Sequence, residues 1–170
     1  MICNNRKHKQ LGATLVEMAI ATTLIAAFFG AIFEVNAVCL RYINASKDSV
    51  AAIQGVQTRL EVLRNLAFTD LTNATFVQNL MVNPADASDF AKTKPAEVVT
   101  IKAYNPDTKS ATGTGVQISR PAGAVVTPSI TGSLPSATVV LVNVTYTWNM
   151  LVGRPRTQQA ETIISAGTKK

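Results

Sequence analysis

Glu17 is the residue of this chain whose position most clearly calls for a chemical explanation. It is the single charged residue in the run from Ala13 to Phe33, which contains no proline and consists mainly of apolar side chains. An ionisable side chain inside an apolar segment is costly, and such residues usually have a functional partner. A carboxylate removed from water needs a cation beside it. A cationic partner is one explanation for Glu17; the alternative is an unpaired carboxylate that reaches water at the edge of an ordinary membrane anchor.

The chain has few residues of the types that catalyse reactions. The only histidine, His8, lies in the basic stretch before the apolar run, and Cys39 has no histidine near it in the sequence. Asp86 and Asp89 could contribute to a calcium site, but two carboxylates in a loop are more typical of solvated turns. We therefore expect no enzymatic activity, no metal site and no cofactor.

Two clusters of basic residues raise the question of DNA binding. Arg154 and Arg156 flank a proline at a predicted hairpin tip, and Lys169 and Lys170 end the sequence. No aromatic residues are interleaved with them, so the pattern favours a solvated turn and tail over a nucleic-acid surface. DNA binding is therefore a weakly supported alternative.

The apolar run has the length of a membrane-spanning helix. Ala13 to Phe33 is 21 residues long, which as a helix extends about 31 Å, close to the thickness of a bilayer core. Arg6, Lys7 and Lys9 precede it, and the positive-inside bias places such a basic end in the cytoplasm. The sequence predicts one membrane span, with everything after about residue 34 exported.

The net charge of +6 depends strongly on these basic residues. Three of the 16 basic residues precede Gly12, and without them 13 basic residues face 10 acidic ones, a balance of +3. The basic isoelectric point therefore says little about the partners of the remaining chain.

Other targeting signals fit the N-terminus less well. A secretory signal has an apolar core of about 7 to 15 residues, shorter than this run, so cleavage after Ala37 is a minor alternative. A lipoprotein signal would need a small residue before Cys39, where the chain has Val38. We expect Cys39 to be a small packed side chain, with intermolecular pairing as the alternative, and Cys3 lies in the basic stretch.

The first part of the chain favours a single long helix. No proline occurs before Pro84, and apolar residues recur at spacings of three and four beyond the apolar run. We predict one helix from Ala13 to Phe68, apolar on all sides at first and on one face afterwards. The residues of the predicted buried face are Val50, Ile53, Val56, Leu60, Leu63 and Ala67.

The second part favours antiparallel strands. After an irregular connection over about residues 69–96, with at most one short helical turn, alternating patterns predict strands at Glu97–Tyr104, Gly115–Ser119 and Ala137–Asn149. Arg156–Ala166 can return as a further antiparallel partner. The third strand places Val140, Val142, Val144, Tyr146 and Trp148 on one face. The predicted fold class is α+β: a long N-terminal helix packed on a small antiparallel sheet.

The stretch from Gly12 to Met18, Gly-Ala-Thr-Leu-Val-Glu-Met, resembles the N-terminus of type IV prepilins, with its basic leader before the glycine and its long apolar run after the glutamate. The resemblance implies cleavage by a prepilin peptidase between Gly12 and Ala13, N-methylation of Ala13, and a role in assembly for Glu17. Glycine suits a cleavage site because it leaves the backbone accessible. The new amine of a neighbouring subunit would be a cationic partner for Glu17.

The resemblance also implies a division of the chain. Residues 1–12 are a basic leader, 13–33 a transmembrane and assembly helix, and 34–170 an exported pilin-like domain, with an amphipathic helix over about 34–68 and a β-rich part over about 97–170. The implied partners are the prepilin peptidase and N-methyltransferase, other pilins or pseudopilins, an inner-membrane assembly platform and membrane lipid.

The function implied by the resemblance is that of a bacterial filament subunit. The chain would be held in the inner membrane by a single span, with its N-terminus cytoplasmic, and then enter a type IV pilus-like or type II secretion filament in the periplasm or at the cell surface. The apolar run lacks the proline of many major pilins, and the C-terminal part lacks their cysteine pair, which favours a minor pilin or pseudopilin. The alternatives are a membrane-anchored exported binding domain that never polymerises, and a DNA-binding pilus subunit.

Overall fold

The fold is a long helix followed by three short helices and an antiparallel sheet, which confirms the predicted α+β class. The computed structural model describes residues 14–134, 136–150 and 153–167. The helices are α1 Leu15–Asn65, α2 Phe68–Leu71, α3 Ala74–Leu80 and α4 Asp89–Thr93. The strands are β1 Ala96–Asn105, β2 Ser110–Arg120, β3 Ser129–Gly132, β4 Val139–Asn149 and β5 Pro155–Ser165. The chain divides into two units, Met1–Tyr42 and Ile43–Lys170, and we call the second the sheet unit.

Within the first unit, the described part of α1 exposes its apolar side chains on every side. Phe28, Phe33 and Val35 each leave more than half of their surface accessible. One helix near the N-terminus is long and apolar enough to cross a membrane, and none of its most apolar stretch is buried within the protein. The hydroxyls of Thr22 and Thr23 donate to backbone carbonyls one turn earlier, at 2.8 to 3.0 Å. These polar groups are thereby satisfied without water.

The end of α1 lies three residues before the predicted end. The helix stops at Asn65, whereas the sequence pattern predicted continuation to Phe68. Ala67 takes an extended backbone conformation with ψ of 146°, and Phe68 begins α2. The connection predicted as irregular over about residues 69–96 contains α2, α3 and α4, capped in part by Asn73 and Ser88. Short side-chain caps of this kind stabilise single helical turns.

The sheet has the strand order β3-β2-β1-β4-β5, and every described pairing is antiparallel. The strands predicted at Glu97–Tyr104 and Ala137–Asn149 and the returning strand are confirmed, with bounds shifted by a few residues. The strand predicted at Gly115–Ser119 begins earlier, at Ser110. No strand was predicted at β3, because the three residues between Pro128 and Gly132 carry too short an alternation to be read as a strand.

The hydrophobic core of the sheet unit lies on one face of the sheet. The predicted face of β4 is confirmed, since all five of its residues are less than 5 % exposed. The distal half of α1 and the short helices cover this face, and Phe90 of α4 meets Trp148 edge to face with ring centroids 5.6 Å apart. The main contributions from the helices are Val56, Leu60, Leu63, Leu71, Val77, Met81 and Phe90.

The buried face of α1 differs from the predicted one. Val50 and Ile53 are 52 % and 41 % exposed, so their assignment to the core was wrong. Ala67 is exposed and lies beyond the end of α1. Val56, Leu60 and Leu63 are buried as predicted, together with Ala52, Gly55 and Arg59. This face includes Gly55 because the helix lies directly against Tyr146, whose Cε2 atom would lie 2.7 Å from a Cβ atom on that glycine.

The contact at Gly55 yields a stability prediction. We expect Gly55→Ala to lower the free energy of unfolding by about 1 kcal/mol, because the steric cost of about 1 to 3 kcal/mol exceeds the gain in helix propensity of about 1 kcal/mol. Urea unfolding followed by the fluorescence of Trp148, the single tryptophan, measures the change. Gln57→Ala, at an exposed position of the same helix, is the control. A stabilised Gly55→Ala variant would show that the Tyr146 ring moves aside freely.

Candidate functional site

Only part of the predicted N-terminal site lies within the described residues. Glu17 lies in the first turn of α1. Gly12 and Ala13, at the predicted cleavage site, lie outside the described residues, and so do the leader residues Arg6, Lys7 and Lys9. Cleavage and methylation there stay predictions.

Glu17 caps the helix to which it belongs. The backbone N–H of Thr14 donates to Oε2 of Glu17 at 3.1 Å, and the backbone N–H of Glu17 donates to Oγ1 of Thr14 at 3.3 Å. This reciprocal pair is a capping box, which satisfies two of the four N–H groups that a helix leaves free at its start. The positive end of the helix dipole also favours the carboxylate at this position. The helix start thereby accommodates a charge in an apolar segment.

The capping box leaves part of the carboxylate free for another donor. The bond from Thr14 uses Oε2, and among the described residues no hydrogen bond reaches Oε1. Glu17 is exposed, and its neighbours Val16 and Met18 are more than half exposed as well. A cation from another molecule can therefore reach this carboxylate without breaking the cap. The Thr-x-x-Glu spacing was a visible signal for the cap, but the sequence interpretation did not use Thr14.

A second polar site lies inside the sheet unit and was missed from the sequence. Arg59 of α1 binds Glu97 of β1 through two hydrogen bonds, Nε to Oε1 at 2.5 Å and Nη2 to Oε2 at 3.1 Å. Both side chains are at most 3 % exposed. Arg59 also donates to the backbone carbonyls of Leu80 and Asn83, at 3.4 and 2.8 Å. One guanidinium thus joins α1, β1 and the end of α3.

A second arginine lies next to this ion pair. Arg120 on β2 is the register partner of Glu97 and is 1 % exposed, and it donates to the backbone carbonyls of Gly123 and Ala124. Burial lowers the pKa of Arg120, while the nearby Glu97 carboxylate opposes the shift. Burial also raises the pKa of the Tyr146 hydroxyl, with the Glu97 charge adding to the effect. Two buried guanidinium groups therefore depend on one buried carboxylate.

Arg59, Glu97 and Arg120 form a buried polar cluster, whose role is to hold α1, β1 and β2 together. Its side chains are bound to each other or to backbone carbonyls, apart from the Nε atom of Arg120, which finds no partner within the described part of the chain. A signal for Arg59 was present in the sequence, because it falls at helical spacing among Ala52, Val56 and Leu63. The sequence interpretation did not use this signal.

The remaining candidate residues lie at the surface. Cys39 is exposed, so the expectation of a packed side chain was wrong: its unit provides no other described element on which this part of α1 could pack. Asp86 accepts a hydrogen bond from the backbone of Ser88 at 2.8 Å, as a turn former does. Arg154 and Arg156 are exposed near the turn between β4 and β5, as expected. Lys169 and Lys170 lie outside the described residues.

Comparisons of the chain with known protein families, with curated proteins and with solved structures find no match. The architecture itself is compatible with a pilin-like protein: a long N-terminal helix with an apolar stretch able to cross a membrane, followed by a five-stranded antiparallel sheet.

Proposed function

We propose that this chain is a structural subunit of a type IV pilus-like or type II secretion filament, a minor pilin or a pseudopilin. A prepilin peptidase cleaves it between Gly12 and Ala13, and the new terminus at Ala13 is methylated. Before assembly the protein is held in the inner membrane by one span, with its N-terminus in the cytoplasm and its C-terminal domain exported. Its filament stands in the periplasm or at the cell surface.

The observation that carries the proposal is an apolar helix surface with a charged residue in its first turn. The described part of α1 up to Tyr42 is exposed on all sides, and large apolar side chains make up much of this surface. Lipid can cover such a surface, and so can the same helix of other subunits. In a membrane the association of helices depends on close packing and polar contacts rather than on hydrophobicity. Glu17 supplies a polar contact at the start of the helix.

Assembly then replaces lipid by neighbouring helices. The free oxygen of the Glu17 carboxylate receives the amine of a neighbouring subunit, while Thr14 keeps the helix capped. The pairing fixes the axial position of one helix relative to the next. The neighbours are pilins or pseudopilins, further copies of this chain among them, and an inner-membrane assembly platform extracts the subunit from the bilayer. The sheet unit stays outside the helical core.

The mature N-terminus provides the test of this proposal. We expect mass spectrometry of the protein from membranes and from sheared filaments to give a chain beginning at N-methylated Ala13. Gly12→Leu is expected to leave the leader attached, because a side chain blocks access to the backbone at the cleavage site. An intact Met1 in the assembled protein, or a chain that begins at Val38, would contradict the proposal. The second result would identify a cleaved secretory signal.

A further inference from the structure

Beyond Glu17, α1 carries two oppositely charged residues within a long stretch that is otherwise uncharged. Glu34 and Arg41 are the only charged residues between Met18 and Ser46. Both are exposed, and neither belongs to an ion pair among the described residues, where the pairs are Arg59 with Glu97 and Lys94 with Asp48. They lie seven residues apart, which puts them on the same face of the helix and about 10.5 Å apart along its axis. They are therefore too distant to pair with each other.

The face that carries them is lined by small side chains. Residues at alternating spacings of four and three follow one line along the helix. On the same line as Glu34 and Arg41 lie Thr23, Ala27, Gly30 and Ala37, all exposed, and we call these four residues the small-residue stripe. The bulky residues Phe28, Phe29 and Phe33 lie off this line. Small side chains let the backbones of two helices approach closely, so this face is the one best suited to helix contact.

We infer that Glu34 of one copy pairs with Arg41 of a second copy of this chain, in a parallel helix displaced by seven residues. The inference rests on the proposed function, because a common membrane orientation makes the helices parallel. With no displacement, facing stripes would set Glu34 against Glu34 and Arg41 against Arg41, which is repulsive. A displacement of about 10.5 Å brings opposite charges to one level. Both halves of the pair are present in this sequence, which argues for a second copy as the partner.

One displaced neighbour could make both this pairing and the one proposed for Glu17. The copy displaced away from the cytoplasm contributes Glu34, and in the same way it contributes the amine of Ala13 to the Glu17 of its neighbour. That second pairing calls for a displacement of four residues, and the difference of three residues is about 4.5 Å. Long arginine and glutamate side chains can cover such a difference.

Charge exchange tests the pairing. We expect Glu34→Arg and Arg41→Glu each to reduce the amount of the full-length protein in sheared filaments by about tenfold, because like charges then face each other. The double variant with both exchanges is expected to recover most of the parent level, since the pair is restored with opposite polarity. Membrane levels of each variant, measured by immunoblot, control for expression and insertion. Single variants that assemble like the parent would overturn the inference, and so would a double variant no better than the singles.

Cross-linking tests the displacement without altering the charges. In a background with Cys3→Ser and Cys39→Ser, the variant with both Gly30→Cys and Ala37→Cys carries two thiols seven residues apart on the small-residue stripe. We expect oxidation of filaments to give disulfide-linked dimers for this variant, since a displacement of seven residues brings the two positions of neighbouring copies within the Cα separation of about 4.4 to 6.8 Å that a disulfide requires. Neither single variant is expected to cross-link.

The outcomes separate this inference from the proposed function. Cross-links in the Gly30→Cys single variant would indicate helices at equal level and overturn the displacement. Filaments that contain the chain but give no cross-link with both thiols would overturn the inference and leave the proposed function intact. Failure of the proposed function would be recognised separately, by a parent protein with an intact leader.

Discussion

Glu97→Gln is expected to lower the free energy of unfolding of the sheet unit by about 3 to 5 kcal/mol, the range found when a buried ion pair loses one partner. The substitution leaves Arg59 and Arg120 buried without a counter-ion, although it keeps the shape of the side chain. Small domains have total stabilities of about 5 to 15 kcal/mol, so the loss is a large part of the whole. Urea unfolding of the full-length protein in detergent, followed by Trp148 fluorescence, measures it.

Replacing the cation of the pair is expected to lower the free energy of unfolding by less than replacing the carboxylate. Arg59→Met removes one guanidinium but leaves Glu97 facing the buried Arg120, so the carboxylate keeps a cation nearby. We expect a loss of about 1 to 3 kcal/mol, mainly from the hydrogen bonds to Glu97 and to two carbonyls. Lys94→Met is the control, because it breaks the more exposed pair with Asp48 and should cost at most about 1 kcal/mol. A larger loss for Arg59→Met than for Glu97→Gln would contradict this account of the cluster.

The second large effect concerns assembly. Glu17→Ala is expected to insert into the membrane as well as the parent, because a carboxylate is removed from an apolar segment. Its incorporation into filaments is expected to fall by about thirtyfold or more, since removing one partner of a close charge pair costs about 2 to 5 kcal/mol. Immunoblots of membrane and sheared-filament fractions measure both quantities in the same cells.

Two further variants separate the charge of Glu17 from its capping role. Glu17→Gln keeps a side chain that can complete the capping box but removes the charge. It is expected to fail in assembly as Glu17→Ala does. Thr14→Ala removes the hydroxyl of the cap and keeps the charge, at a cost of about 1 kcal/mol at the helix start, so its assembly should be close to that of the parent. Normal assembly of Glu17→Gln would show that the carboxylate acts through the cap alone.

Features that depend on neighbouring residues in the sequence were predicted correctly, whereas contacts between distant residues were missed. The alternation over β4 is local, and it predicted the buried face from Val140 to Trp148 correctly. The buried face of α1 was predicted only in part: Val56, Leu60 and Leu63 are buried, but the buried Arg59 was missed. Its partner Glu97 lies 38 residues away, and no local pattern indicates which carboxylate will meet it. The edge strand β3 was missed for a related reason, since its pairing with β2 is set by the neighbour.

At the N-terminal site, the sequence predicts the groups of this chain but not what they bind in another molecule. The apolar run and the position of Glu17 could be read directly, because both depend on consecutive residues. The capping role of Thr14 could also have been read from its spacing to Glu17. What the carboxylate meets in another molecule depends on the assembly, and the chain alone supplies only the complementary groups, among them Glu34 and Arg41.

The central position of β1 in the sheet has a consequence for the order of folding. β1 is the first strand to be synthesised, yet it lies between β2 and β4, and its residue Ala96 pairs with Thr147. About 50 residues must therefore follow before the strand has both neighbours, and contacts across such separations form slowly. Until β4 arrives, Glu97 lacks Tyr146 beside it, and the apolar face of the distal half of α1 lacks most of its sheet. The sheet unit thus closes late, when nearly the whole chain has been made.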